Sequence, residues 1–313
     1  MRDLRYLPIS RSDPELLLPL MYEEEKAWMS DLDWDYAPVR RILVSFIQQK
    51  LLPGYVALVD HEAVAYIYFL VNQAKGIIGA IYAARRRNSQ QAVDELLSLS
   101  ITSLRDAQNI CRVEAQILPF HDLELTHAFT RHGFAHYPRH FMELDLTRTP
   151  RRPNQLLRQE RIVPWNIAYL PRLAEMTSAS YRGQTDAVIC QDYQSREGCE
   201  SYLRSLVENP GCGFFLPEAS FICLDEHGDP CGFITSSRIS GSTGMIPQIA
   251  VRPSHQGKGI GNALMHSAFE GFLTSGIRTV SLTVTAENRR AFQWYQRLGF
   301  LTRKQFGAFV WQR

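Results

Sequence analysis

The chain has 313 residues, room for two domains of about 150 each, and its 45% of apolar residues can furnish a core for both. With 34 basic against 32 acidic side chains the net charge is +2, which offers no global field for nucleic acid or an anionic membrane. No apolar run reaches the roughly 20 residues that span a bilayer. The start, Met1-Arg2-Asp3-Leu4-Arg5 running into Glu23-Glu24-Glu25, lacks the apolar stretch of a secretory signal.

These features predict a soluble, cytoplasmic protein with neither nucleic acid nor membrane as partner. Cys111, Cys190, Cys199, Cys212, Cys223 and Cys231 form no Cys-x-x-Cys pair and accompany no His cluster at zinc-site spacing. They read as reduced thiols, and no metal is expected.

In chain order, Pro53-Gly54 precedes a predicted strand over Val56 to Asp60, and a polar turn at His61-Glu62 leads into a second apolar strand. A further strand, a long helix, another strand and a shorter helix follow. They end at Arg131-His132-Gly133-Phe134, where Gly133 stands as a helix C-cap would. Thr147 to Asn154 holds Pro150, Pro153, Arg148, Arg151 and Arg152 without an apolar residue and reads as a connector. The expected domains are therefore 1–150 and 151–313.

The second half repeats this order. Arg161 to Trp165 predicts a strand, Ala168 to Tyr181 a helix, and Ser195 to Glu208 a helix capped by Ser195 and stopped at Asn209-Pro210-Gly211. Strands are expected over Ser220–Asp225, Cys231–Ser237 and Gly244–Val251. Then come a helix from Ile260 to near Gly276, a strand over Arg278–Thr285, a helix over Asn288–Leu298 and a closing strand over Phe309–Gln312. Arg297-Leu298-Gly299-Phe300 echoes Arg131-His132-Gly133-Phe134, and the two halves read as a duplication. The fold class is α/β, a mixed sheet with antiparallel hairpins first and a parallel strand–helix–strand crossover later.

Gln256-Gly257-Lys258-Gly259-Ile260-Gly261 sits between a strand and a helix N-terminus. Glycines let the backbone approach an oxyanion, and the first N–H groups of a helix lack internal partners, so this turn suits an anion such as a diphosphate. Taken with Ile249-Ala250-Val251-Arg252-Pro253 before it, and Leu282 to Asn288, Ala291, Tyr295 and Leu298-Gly299-Phe300 after it, the order and spacing resemble the GNAT superfamily of acyl-CoA-dependent N-acyltransferases. The resemblance covers most of Arg161–Arg313 and is strongest over Ile249–Phe300.

The resemblance implies two tandem GNAT-like domains, each a mixed, mostly antiparallel sheet flanked by helices, in a plan similar to that of the mycothiol synthases. It implies that Ile249, Ala250 and Val251 pair with the pantetheine arm of acetyl-CoA, and that Gln256, Gly257, Lys258, Gly259, Ile260 and Gly261 hold the pyrophosphate. Asn288 would cap its helix and also contact the arm. Pro247 would mark the bulge that admits the thioester. Tyr295 would be the general acid, since a phenol keeps its proton at neutral pH and can give it to a leaving thiolate. A core tyrosine beside Trp294 is the plainer alternative.

The base is open. Thr283 and Met245 stand where carboxylates would be expected, with Gln248 as the other polar residue. His255, Glu218 and Asp225 are further candidates, and a water chain ending in backbone carbonyls and Thr283 is the default. Asp186, Asp192 and Glu197 could draw a cationic amine, with an acceptor pocket expected over Tyr181–Tyr193 and Ser236–Gly244.

In the first half, Ile81-Tyr82-Ala83-Ala84-Arg85-Arg86-Arg87 has no glycine at the corresponding turn, and Phe129 stands opposite Tyr295, so residues 1–150 read as non-catalytic. The expected activity is direct acetyl transfer to a small-molecule amine by a monomer or homodimer. A protein N-acetyltransferase and a CoA-binding sensor without turnover are the alternatives.

Overall fold

The computed structural model describes residues 4–84, 89–119, 122–148 and 160–313. The Arg85–Arg87 turn and the expected boundary at 150 lie outside the described residues. Two compact units divide the chain, one of Met1–Arg139 with Gln305–Arg313, the other of His140–Lys304.

The first unit runs β1 (Leu4–Pro8), α1 (Pro14–Leu32), α2 (Ala37–Gln48), β2 (Gly54–Val59), β3 (Glu62–Asn72), β4 (Lys75–Ala83), α3 (Ser89–Asp106), β5 (Arg112–Gln116), α4 (Asp122–Thr130) and the start of β6 (Ala135–Asp145). Strands β1 to β4 pair antiparallel in succession, and the α3 crossover makes β4 and β5 parallel. Helix α1 buries Leu17, Leu20, Met21, Glu24, Trp28 and Leu32, a three-to-four residue spacing that turns one face inward.

The second unit continues with β7 (Arg161–Pro164), α5 (Leu170–Tyr181), α6 (Thr185–Ile189), α7 (Arg196–Glu208), β8 (Phe214–Phe215), β9 (Phe221–Leu224), β10 (Pro230–Arg238), β11 (Thr243–Val251), α8 (Ile260–Thr274), β12 (Thr279–Thr285), α9 (Arg289–Leu298) and the start of β13 (Leu301–Gln312). Ser195 accepts from the Gly198 N–H at 3.0 Å and so starts α7 as its type suggests. On α8, Ile260, Leu264, Ala268 and Phe272 are buried, and burial of Ile260, Leu264 and Phe272 contributes roughly 1.5–3 kcal/mol each. The closing strand is longer than expected. Its residues Ala308–Gln312 pair with β5 inside the first unit, where Phe309 and Trp311 join the core.

One irregularity recurs. Between β10 and β11, Thr235 faces Gln248 and Ser237 faces Met245, so β11 carries an extra residue at Ile246-Pro247. Pairing of β11 with β12 stops at Ile246–Leu282, immediately before Pro247, which has no N–H to give a neighbouring strand. In the first unit β3 and β4 shift register between Tyr68 and Phe69, and β4–β5 pairing stops at Ile78–Ala115. Each unit thus parts its parallel strands just past a bulge.

Candidate active site

Past Pro247, the edge of β11 that leaves β12 is Ile249–Val251, and it borders a cavity of about 720 Å³. A short 3-10 turn, Pro253–His255, carries the chain to Gly257 and Gly259, whose φ angles of +79° and +88° belong to the left-handed region. Gly259 is the N-cap of α8 and provides no side-chain cap, so the first N–H groups of this helix, whose residues Ile260 to Asn262 line the cavity, have no partner within the helix. A Cβ on Gly261 would lie 3.4 Å from the Trp294 ring, so a larger residue there would press on the indole.

The structure brings the residues expected to hold the donor, together with Tyr295, to this one cavity: Ile249, Ala250, Val251, Gln256, Gly257, Lys258, Gly259, Ile260, Gly261 and Asn288 line it beside the tyrosine, while Met245, Pro247, Gln248 and Thr283 are not among its lining residues. Asn288 caps α9 by accepting from the Ala291 N–H at 3.2 Å. Seven residues on, Tyr295 is the buried residue of α9, 7% exposed, with its ring edge-on to Phe300 at 5.8 Å. The N-cap at Asn288 and the 3.6-residue period therefore fix the phenol's place. Gln256 Nε2 donates to the Val251 carbonyl at 3.1 Å, and Arg290 donates to Gln256 Oε1 at 3.1 Å.

The cavity also takes Ser180 and Tyr181 from the end of α5, Gln184 from the N-cap of α6, and His255, Asn262, Arg290, Ala291, Trp294 and Arg297. Arg290, Trp294 and Arg297 follow from projecting α9 forward from its cap, a signal present in the sequence. Ser180 arrives through tertiary packing and carries no local signal, whereas Tyr181 and Gln184 lie in the Tyr181–Tyr193 segment expected to line an acceptor pocket. Ser180 Oγ donates to the Val251 carbonyl at 3.3 Å. Gln248, 3% exposed, is held between two tyrosines: Tyr193 donates to its Oε1 at 2.9 Å, and its Nε2 donates to the Tyr181 hydroxyl at 2.8 Å. Burial pushes the Tyr193 and Tyr202 hydroxyls well above their ordinary pKa, so this cluster stays neutral.

The candidate bases fare differently. His255 lines the cavity beside Ser254, with 3.0 Å between its Nδ1 and the hydroxyl. Asp225 holds the β9–β10 turn. Burial pushes its carboxyl up, but the Asp229 and His227 N–H groups and Arg252 outweigh that and keep it below the usual range. Asp186 accepts from Thr285 Oγ1 at 2.7 Å and from Asn288 Nδ2 at 3.5 Å, which ties α6 to the β12–α9 junction. No Asp or Glu is among the described residues lining the cavity. All six cysteines are free thiols. Among the described residues no cluster of His, Cys, Asp and Glu is placed to hold a metal, and no helix is long and apolar enough to cross a membrane.

Residues 177–300 match the Acetyltransferase (GNAT) family. That stretch, inside the second unit, is the GNAT-like part of the chain. Members of this family use acyl-CoA, and the glycine turn, the α8 N-terminus and the 720 Å³ cavity fit that donor on their own geometry. An uncharacterized N-acetyltransferase of Methanocaldococcus jannaschii is 32% identical over 114 residues, 34% of this chain and 47% of that protein. Mycothiol acetyltransferase of Streptomyces scabiei is 32% identical over 100 residues, 32% of either chain. Streptothricin acetyltransferase of Streptomyces lavendulae is 35% identical over 82 residues, 26% of this chain and 43% of that protein. The matches therefore span less than half the length of each of these relatives.

The whole fold has solved counterparts. A GCN5-related N-acetyltransferase from Sphaerobacter thermophilus superposes with a TM-score of 0.71 at 17% identity, over 99% of this chain and 95% of that one. A tandem GNAT protein from the clavulanic acid biosynthesis pathway gives 0.64 at 15%, over 99% and 98%. The fold of the chain is that of a tandem GNAT protein, a mixed α/β architecture over its full length.

Proposed function

We propose that the chain is an N-acetyltransferase that moves the acetyl group of acetyl-CoA to the primary amine of a small molecule. In this reading residues 151–313 carry the reaction and residues 1–150 are a non-catalytic domain. The observation that supports it most is that one cavity joins the uncapped N-terminus of α8 to the Tyr295 phenol. The relatives named for mycothiol and streptothricin support a small molecule over a protein as acceptor.

Acetyl-CoA supplies an acetyl group already activated as a thioester. The N–H groups of Gly257 to Gly261 and the α8 dipole bind its pyrophosphate. The edge of Ile249–Val251 orients the pantetheine arm, for which the side chains of Ser180 and Gln256 leave the Val251 carbonyl. Tyr295 Oη holds a proton and gives it to the departing sulfur. With no carboxylate among the described residues of the cavity wall, the amine enters as its free base, and its proton goes to water after attack. An alkylamine of pKa near 10.4 is mostly protonated at neutral pH. Below the amine's pKa, kcat/KM should therefore rise about tenfold per pH unit. A plateau set by an enzyme group near pH 6–7 would instead reveal a side-chain base.

Release of free CoA from acetyl-CoA across an amine panel tests the proposal. Tyr295→Phe should lower kcat at least tenfold while the Kd for CoA changes less than twofold. Equal rates would remove Tyr295 as the acid. Tight CoA binding without turnover on any amine would favour a CoA-responsive binding protein.

A further inference from the structure

The cavity carries more positive charge than a diphosphate requires. Its wall includes His255, Lys258, Arg290 and Arg297 and, among the described residues, no acid. The backbone of the glycine turn, with Lys258 in the same turn, already suits one diphosphate. Arg290 and Arg297 come from a different element, α9. There they share one face with Trp294, at spacings of four and three residues. The structure records no carboxylate partner for either arginine among the described residues.

This face is held in place from two sides. Trp294 Nε1 donates to Asn262 Oδ1 at 2.6 Å, which fixes the indole against the first turn of α8. Arg290 Nη1 donates to Gln256 Oε1 at 3.1 Å, which leaves most of its five N–H groups for another acceptor. The result is a fixed aromatic plate flanked by two guanidinium groups, beside a diphosphate cradle. A guanidinium fork matches the oxygens of a phosphomonoester, a dianion at neutral pH. In CoA that group is the 3′-phosphate of the adenosine end.

We propose that Arg290 and Arg297, with Trp294 between them, form a subsite for the ribose 3′-phosphate, so that the chain selects CoA over 3′-dephospho-CoA. The proposal rests on the acyl-CoA reading above. Both arginines are exposed, so the preference should weaken as salt rises.

Calorimetric titration of the full chain with CoA and with 3′-dephospho-CoA, at low and moderate salt, tests it. Wild type should bind CoA at least tenfold tighter. Arg290→Ala with Arg297→Ala should reduce that ratio to within twofold, with the larger loss of affinity falling on CoA. Arg297→Glu, which keeps a long side chain, should reduce it in the same way. Lys258→Ala should weaken both ligands alike and preserve the ratio. Equal binding of the two ligands by wild type, or equal loss of both in the arginine variants, would overturn the subsite and leave the acyl-CoA reading standing. Failure of wild type to bind either ligand would overturn both.

Discussion

Inside the first unit the carboxyl of Glu24 accepts from Trp28 Nε1 at 3.1 Å and from the Tyr66 hydroxyl, and it is fully buried. Burial outweighs those two hydrogen bonds and pushes its pKa from 4.5 up to about 7. A raised folded-state pKa contributes stability that is complete below about 4.5 and is lost as pH rises through about 7. The margin by which wild type out-melts Glu24→Gln should therefore shrink between pH 5 and 8 and level off above. A margin independent of pH would show that Glu24 does not titrate there. In the sequence Glu24 is one of three consecutive acids and looks solvated. Its place on the 17–20–21–24–28 face of α1 was the signal that it turns inward. Tyr295 was easier to read, because the Asn288 cap and the Gly299 terminator fix it on a short helix.

At the scale of elements, β11 and β12 part at Pro247. It was legible because proline inside a strand forbids a ladder bond and so marks an edge or a bulge. Replacing it by Val would offer an N–H where pairing now stops, and should extend the β11–β12 ladder into the cleft. Pro247→Val is expected to raise the Kd for CoA at least fivefold while melting at or above the wild-type temperature. A variant that binds CoA as wild type does would show that the bulge persists without proline. Helix α6 was not legible: five residues long, it is held by Asp186 to Thr285 and Asn288 and by Thr185 Oγ1 to Glu287 at 2.6 Å, about a hundred residues away. Such long-range pairs leave no periodic trace in the sequence.

Over the whole molecule, each unit repeats strand, helix, strand, helix after its bulge, yet the residues at matching places differ. Phe129 is fully buried and stacks on Phe309 at 4.1 Å, where the second unit presents the Tyr295 phenol. The Arg131–Phe134 and Arg297–Phe300 echoes made the duplication readable. The partner of β13 was not, since pairing Ala308–Gln312 with β5 closes a loop of nearly two hundred residues that no local pattern specifies. One donor site per chain is expected, at the α8 N-terminus. Calorimetry with acetyl-CoA on wild type and Gly259→Val tests that claim most directly, because a β-branched residue cannot take the +88° φ without strain. Wild type should show one site per chain and the variant no measurable binding. Two sites per chain, or unchanged affinity in Gly259→Val, would contradict it.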